Sequence, residues 1–151
     1  MLTHVSDKGV DMVDISEKKK TVRTAIAVGS IYLKESTMEL MRNEGLKKGN
    51  VLATAQVAGI MATKRTHDLI PLCHQIPLNK ISIEFQDLSD HYQVRCTVRT
   101  TYGTGVEMEA LQGASQALLT IWDMVKANEK DEKGQYTTTR IGDICVTKKE
   151  K

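Results

Sequence analysis

Residues 80–102, "KISIEFQDLSDHYQVRCTVRTTY", constrain the fold of this chain more than any other stretch. Ile81, Ile83 and Phe85 fall on one face of an extended run, with Ser82 and Glu84 on the other. After the polar turn Asp87-Leu88-Ser89-Asp90, Tyr92, Val94, Cys96 and Val98 alternate with Arg95, Thr97 and Arg99. Two period-two runs joined by a short polar turn make an antiparallel hairpin with one apolar face. Such a face has to be covered by another layer.

The rest of the sequence supplies the layer. "TVRTAIAVGSIYLKE" reads as a first strand, with Val22, Thr24, Ile26 and Val28 on one face. Its apolar phase shifts to Ile31 and Leu33 across Gly29-Ser30, which predicts a bulge there. "STMELMRNEG" reads as a short helix opened by a Ser36–Glu39 capping box and stopped at Gly45. A second helix is predicted from about Asn50 to Arg65, with Asn50 as N-cap and small residues (Ala53, Ala55, Ala58, Gly59, Ala62) that admit a close neighbour. The longest helix runs from near Glu109 to about Asn128, with Leu111, Ala114, Leu118, Ile121 and Val125 at helical spacing. "YTTTRIGDICV" is the last strand. The order β-α-α-β-β-α-β is the split βαβ, ferredoxin-like arrangement with one extra helix: an α+β fold, an antiparallel sheet with its helices on one face. The 151 residues suit a single domain, 1–151, with residues 1–20 a polar arm ending in "EKKK". A one-faced sheet with small-residue helices fits a homo-oligomer, or equally a solvated second face.

Composition narrows the partners. A net charge of +2 is too small for a nucleic-acid or membrane field, and one Trp, one Phe and four Tyr are too few for base-stacking platforms. No stretch approaches the roughly 18 apolar residues of a membrane span, and no signal-peptide pattern opens the sequence. Three widely spaced cysteines, Cys73, Cys96 and Cys145, without a Cys-x-x-Cys, read as a reduced cytoplasmic protein.

Four clusters carry chemistry. Between Lys47 and Arg65 the charged residues are all cations, Lys47, Lys48, Lys64 and Arg65, flanking a helix whose N-terminus favours anions; the plain alternative is solvated lysines. Glu107 and Glu109, at a loop-to-helix junction, suit proton transfer, Mg²⁺ or hydrogen bonds from a guanine-like ring, or simply complement the helix dipole. Asp123 and Lys126, three apart on a helix, are neighbours that can share protons or form an ordinary surface ion pair. Glu109 and Asp123 share a helix face but lie about 20 Å apart. A site using both is long, or is completed by a partner subunit across a two-fold axis. The fourth is "DLIPLCHQIPL", Asp68 to Leu78, where Pro71 and Pro77 bracket Cys73-His74. It lacks the second ligand pair of a zinc site, and adjacent side chains on extended backbone point apart, which disfavours a Cys–His nucleophile. The remaining readings are a stiff extended loop presenting His74 with Cys73 packed inward, or a structural histidine.

"LTHVSDKGVDMVDI", "KKGNVLATAQVAGIMATKRTHDLIPLCH" and "TGVEMEALQGASQALLTIWDMVKA" together resemble the cyclic pyranopterin monophosphate synthase family (molybdenum cofactor biosynthesis protein C) over most of residues 1–128. The resemblance implies a lyase that converts (8S)-3′,8-cyclo-7,8-dihydroguanosine 5′-triphosphate to cyclic pyranopterin monophosphate and releases pyrophosphate. It implies a ferredoxin-like hexamer, a trimer of dimers, with its site at a subunit interface. It places the catalytic residues at Lys48, His74, Asp123 and Lys126. It places substrate contacts at Leu72, Cys73, His74, Glu107, Met108 and Glu109, with Lys64 near the phosphates. No cofactor or protein-held metal is implied, although Mg²⁺ can accompany pyrophosphate. Where the family commonly reads Cys-His-Pro, this chain has His74-Gln75-Ile76-Pro77, and it ends "RIGDICVTKKEK" without the Ser-Gly-Gly-Lys-Ser-Gly tail of many members.

Overall fold

The computed structural model describes residues 4–46 and 50–151. An arm carries a two-rung antiparallel ladder, β1 (Val5–Ser6) with β2 (Gly9–Val10), and leads into β3 (Thr21–Tyr32). Three helices follow, α1 (Glu35–Arg42), α2 (Val51–Lys64) and the four-residue α3 (Thr66–Leu69). The hairpin β4 (Leu78–Asp87) and β5 (His91–Tyr102), the long helix α4 (Glu107–Glu129) and β6 (Arg140–Glu150) complete the chain. The main sheet is antiparallel in the order β4-β5-β3-β6, with α2 and α4 on one face: the expected α+β, ferredoxin-like fold. The arm ladder and α3 are additions to it.

The hairpin turns its apolar face inward as its alternation requires. Ile83, Tyr92, Val94, Cys96 and Val98 are buried under α2 and α4, beside Ala114, Leu118, Ile121 and Val125 of α4. The helices meet at two glycines. A Cβ on Gly59 would sit 2.6 Å from Ile83 Cδ1 and 2.9 Å from the Gly113 carbonyl oxygen; one on Gly113 would overlap Thr63 Oγ1 and lie 2.7 Å from Cys96 Sγ. Gly59 also faces Ala117, whereas Thr63, one turn on, faces Gly113, so α2 and α4 run in opposite directions.

The first strand turns its other face to the helices. Ala25, Ala27, Ile31 and Leu33 face the helices, so Val22, Thr24, Ile26 and Val28 lie on the helix-free face, with Val22 56 % exposed. The strand lies in the middle of the sheet and is apolar on both faces, so alternation alone could not choose the inner one. A bulge does fall at Gly29, but its extra residue belongs to the partner strand β6, and a second one lies nearby. The β3–β5 register runs unbroken from Thr21↔Tyr102 to Tyr32↔His91. The irregularities are in β6, where one extra residue stands opposite Ile26/Ala27 and another opposite Val28/Ser30. Asp143 there takes a left-handed φ of 57°, and the Tyr32 hydroxyl donates to its carboxylate at 2.6 Å. Gly29 marks a close approach as well: its Cβ would lie 2.7 Å from Leu118 Cδ1 and 3.0 Å from Ile144 Cγ1.

The capping box is replaced too. Lys34, not Ser36, is the N-cap of α1, and it makes no side-chain cap. Its backbone N–H donates to the fully buried Glu129 carboxylate (2.9 and 3.2 Å), which also accepts from the Thr139 hydroxyl at 2.9 Å. A carboxylate at the end of α4 thus supplies by tertiary contact what a local cap would have supplied. At the other end of α1, Gly45 N–H closes on Leu40 O at 2.9 Å, and Glu44 adopts the left-handed φ of 52°. Asn50 caps α2 as expected, accepting from Ala53 N–H.

The two-glycine crossing predicts that Gly113→Ala destabilises the chain by roughly 1–3 kcal/mol, because Thr63 and Cys96 on either side are fixed by the helix and the sheet. Chemical denaturation should show a lower midpoint with an unchanged slope. An unchanged midpoint would mean that the crossing is slack.

Candidate functional site

The loop of Asp68 to Leu78 is only half extended. α2 ends at Lys64, and the Thr66 hydroxyl donates back to Thr63 O at 2.9 Å, starting α3. Ile70 N–H closes on Thr66 O (2.9 Å) and Cys73 N–H on Ile70 O (3.1 Å). The stretch around Pro71 is therefore a turn, and the strand begins only at Leu78. The loop is pinned at its exit, where the buried Thr100 hydroxyl donates to Pro77 O at 2.5 Å. His74 does not stand clear. Its Nε2 lies 2.7 Å from the carbonyl oxygen of Val13 in the arm. A carbonyl only accepts, so Nε2 carries the proton.

This loop and the start of α4 wall one cavity of about 310 Å³. Leu72, Cys73 and His74 line one side; Glu107, Met108 and Glu109 line the other. The arm closes it with Val13, Ile15 and Lys18. Two motifs more than thirty residues apart in sequence are thus brought together, because α3 and the loop end beside the N-terminus of α4.

The two carboxylates differ. Glu109 is 4 % exposed, and burial, reinforced by the charge of Glu107, pushes its carboxyl above the usual range. Glu107 is also partly desolvated, but Lys149 of β6 lies 2.5 Å from its carboxylate and holds it below the ordinary value, with Arg23 adding to the effect. One acid is kept ionised and the other is made easier to protonate, the separation that lets a carboxyl pair accept and donate at once. The Cys73 thiol is pushed up by burial and then by the Glu109 charge, the opposite of a nucleophilic thiolate. Among the described residues no group of three or more His, Cys, Asp or Glu is placed to hold a metal ion.

The remaining candidates lie elsewhere. Lys64 is exposed and lines a different cavity of about 370 Å³, which shares only Ile76 with the first. Asp123 and Lys126 project from the far half of α4, about 20 Å from Glu109 along the helix axis. Lys126 Nζ donates to Asp123 Oδ1 at 2.7 Å, and that contact raises the lysine's pKa, so it stays protonated at neutral pH. Lys48 lies outside the described residues. Since α2 runs opposite to α4, its N-terminal end sits toward the Asp123 end and its C-terminal end toward His74.

The arm and Lys149 were not read as site residues. The arm did carry a signal: Val13 and Ile15 alternate with the polar Asp14 and Ser16, and both are half-buried in the structure. Nothing in the sequence brings Lys149 to Glu107, because that contact depends on the irregular register of β6.

The sequence model of the MoaC family matches residues 12–151. A probable cyclic pyranopterin monophosphate synthase of Pyrococcus furiosus is 59 % identical over 148 residues, 98 % of this chain and 95 % of that protein. One of Thermococcus onnurineus is 57 % identical over 150 residues, 99 % and 96 % of the two chains. A protein of Methanothermobacter thermautotrophicus, named a probable cyclic pyranopterin monophosphate synthase accessory protein, is 55 % identical over 149 residues, 99 % and 94 %.

The burial of Glu109 has a thermodynamic signature. Its folded pKa lies above its unfolded one, so its favourable contribution is complete at low pH and disappears as pH rises through the folded value. Glu109→Gln should therefore raise the melting temperature at pH 8 relative to the parent and lose that advantage near pH 4. Equal melting temperatures at both pH values would show that the carboxyl is not held against its charge.

Proposed function

The chain belongs to the MoaC family, and from that membership we propose that it is an enzyme of molybdenum cofactor biosynthesis, a cyclic pyranopterin monophosphate synthase. Its substrate would be (8S)-3′,8-cyclo-7,8-dihydroguanosine 5′-triphosphate, and its products cyclic pyranopterin monophosphate and pyrophosphate. The observation that supports this most is the joining of Leu72-Cys73-His74 to Glu107-Met108-Glu109 around one cavity.

The reaction needs proton transfers that open and reclose rings, then attack of a sugar hydroxyl oxygen on the α-phosphorus. The O–P bond to the β-phosphate breaks, pyrophosphate leaves with the electron pair, and the hydroxyl proton passes to a base. In this reading the ionised Glu107 accepts from ring N–H groups, and Glu109 exchanges a proton with the ring system. The Met108 backbone and the Leu72 and Cys73 side chains pack against that ring system. His74, with Nε2–H spent on the arm, acts at the phosphate side through Nδ1–H of its imidazolium form, and Lys48 supplies a second positive charge that stabilises developing charge. Asp123 and Lys126 form the second acid–base pair, Asp123 as acceptor and Lys126 as the proton-bearing member. Lys64, exposed beside the neighbouring cavity, would act only on the outer phosphates. Mg²⁺ would travel with pyrophosphate and would need no protein ligand set.

The separation along α4 supports a homo-oligomer, in which a partner subunit brings its own Asp123 and Lys126 to this chain's His74 cavity. α2 favours the same assembly: Val57 and Met61 on its outer side and Leu69 of α3 are exposed, so this helix layer is apolar outside as well as inside. A hexamer built as a trimer of dimers, in the cytoplasm, is the assembly we propose. No helix of the described residues is long and apolar enough to cross a membrane.

Incubation with the cyclic dihydroguanosine triphosphate should release one pyrophosphate per product, and a chain that binds substrate without releasing pyrophosphate would be an accessory or sensor protein. Asp123→Ala and Lys126→Ala should each lower kcat by about 10²–10⁴-fold; near-parental turnover in both would remove them from the mechanism. For the shared site, His74→Ala subunits mixed with Asp123→Ala subunits should regain activity through sites that receive both intact halves. Failure to recover after verified subunit exchange would place both residues in one chain's site.

A further inference from the structure

The segment between α4 and β6, Lys130 to Thr139, returns to the helix it has just left and brings Tyr136 to the part of α4 that carries Asp123 and Lys126. We propose that Tyr136 is a positioning residue for that acid–base pair: its ring lies over Lys126 and holds the lysine side chain toward Asp123. The inference rests on the function proposed above for its kinetic consequence, and on geometry for the contact itself.

The return is built into the segment. Its base is tied, because the Thr139 hydroxyl donates at 2.9 Å to the fully buried Glu129 carboxylate at the end of α4. Its turn is tied as well. Asp131 N–H donates to Gln135 O at 2.9 Å, and Gly134 N–H to Asp131 O at 3.0 Å. The Asp131 carboxylate accepts from Lys133 N–H at 2.8 Å and from Gln135 N–H at 2.9 Å, a side chain standing in for a backbone acceptor. Gly134 takes the left-handed φ of 74° that the reversal needs. Tyr136, just beyond the turn, is thereby aimed at the helix by bonds it takes no part in.

Trp122, Lys126 and the C-cap residue Lys130 recur at helical spacing and form one row along the end of α4. Tyr136 meets both ends of that row. Its ring stands edge-on to Trp122, 5.2 Å between centroids, and Lys130 Nζ lies 5.9 Å from its centre. A ring that reaches the first and last members lies over the middle one, Lys126. Asp123 is the main cause of the raised pKa of Lys126, and Tyr136 adds to it, so the phenol is within electrostatic reach of the ammonium. An exposed ion pair is weak because a long side chain must give up its rotamers to hold it. Here the two rings close the side toward Trp122, and the Lys130 ammonium repels from the other. The direction left open is that of Asp123, where Nζ lies 2.7 Å from Oδ1. Tyr136 is 36 % exposed and outside the hydrophobic core, so what its ring covers is this row rather than the interior.

Acylation of lysines by a limiting amount of an acetyl ester, mapped by mass spectrometry on the purified full chain, tests the contact without any turnover. Lys126 should be modified several-fold faster in Tyr136→Ala than in the parent. Tyr136→Phe should restore most of the protection, and Lys133 of the same segment should react alike in all three. Trp122 is the one tryptophan of the chain, so its emission reports directly whether the neighbouring ring has gone. With the cyclic triphosphate substrate, Tyr136→Ala should lower kcat about tenfold with KM little changed, the signature of a misaligned acid–base pair rather than of lost binding. Tyr136→Phe should recover most of that loss, and Lys133→Ala should leave kcat unchanged. Melting temperatures should stay near the parent's, since the ring lies outside the core. The proposal is overturned if Trp122 emission is the same in Tyr136→Ala and the parent, for then the contact is absent. It is overturned as well if the emission changes while Lys126 reactivity and kcat stay parental, for then the rings only pack. Protection of Lys126 that depends on Tyr136, in a chain that releases no pyrophosphate, would sink the synthase reading and leave the ring's hold on the lysine. Normal pyrophosphate release with Lys126 reactivity and kcat untouched by Tyr136→Ala would do the reverse.

Discussion

The contact on which the rest depends is the crossing of α2 and α4 at Gly59 and Gly113. With no side chain at either position, the Gly113 carbonyl approaches Gly59, and Thr63 and Cys96 fill what remains. Thr63 is locked by its own bond to Gly59 O at 2.9 Å, so the residues beside the crossing have little room to yield. The crossing fixes how far each helix slides along the other, and that sets where α3, the Cys73-His74 loop and the first turn of α4 meet. A change of one methyl group at the crossing would be felt at the cavity, two turns away.

Much of the fold could be read from the sequence because most elements carry one unambiguous period. The hairpin alternates cleanly with a wet outer face, and α4 repeats its apolar residues at helical spacing over many turns. β3 could not be read in the same way. It is the inner strand between β5 and β6 and is apolar on both sides, so inner and outer faces look alike. The glycine at its phase shift serves two ends that sequence alone does not separate: an extra residue of β6 stands opposite it, and Leu118 packs close against it. The start of α1 was missed because its amide acceptor, Glu129, is ninety-five residues away.

The candidate site divides along the same line. The loop and the Glu-Met-Glu motif are compact in sequence, and the structure brings them to one cavity. Of the residues that reach the cavity through long-range placement, Val13 is marked only by its short alternation with Asp14 and Ile15, and Lys18 and Lys149 carry no local pattern that distinguishes them from a solvated arm and a charged strand end. The distance between Glu109 and Asp123 was legible from helix geometry alone, and the opposed directions of α2 and α4 sharpen it. The proposed pairing of subunits would join the two ends of α4 that one chain holds apart across a close-packed middle.

The irregular strand β6 has one more consequence. Its two extra residues opposite β3 add up to one full side-chain period, since Ile31 faces Ile141 while Ala25 faces Lys149. The strand therefore keeps its inside-out alternation at both ends and gives up only reach, about 7 Å of it. It works as a vernier, a length adjustment that leaves facing unchanged. Set two residues shorter, it stops Lys149 opposite Ala25, with its ammonium on the carboxylate of Glu107, instead of carrying it on to the level of Arg23.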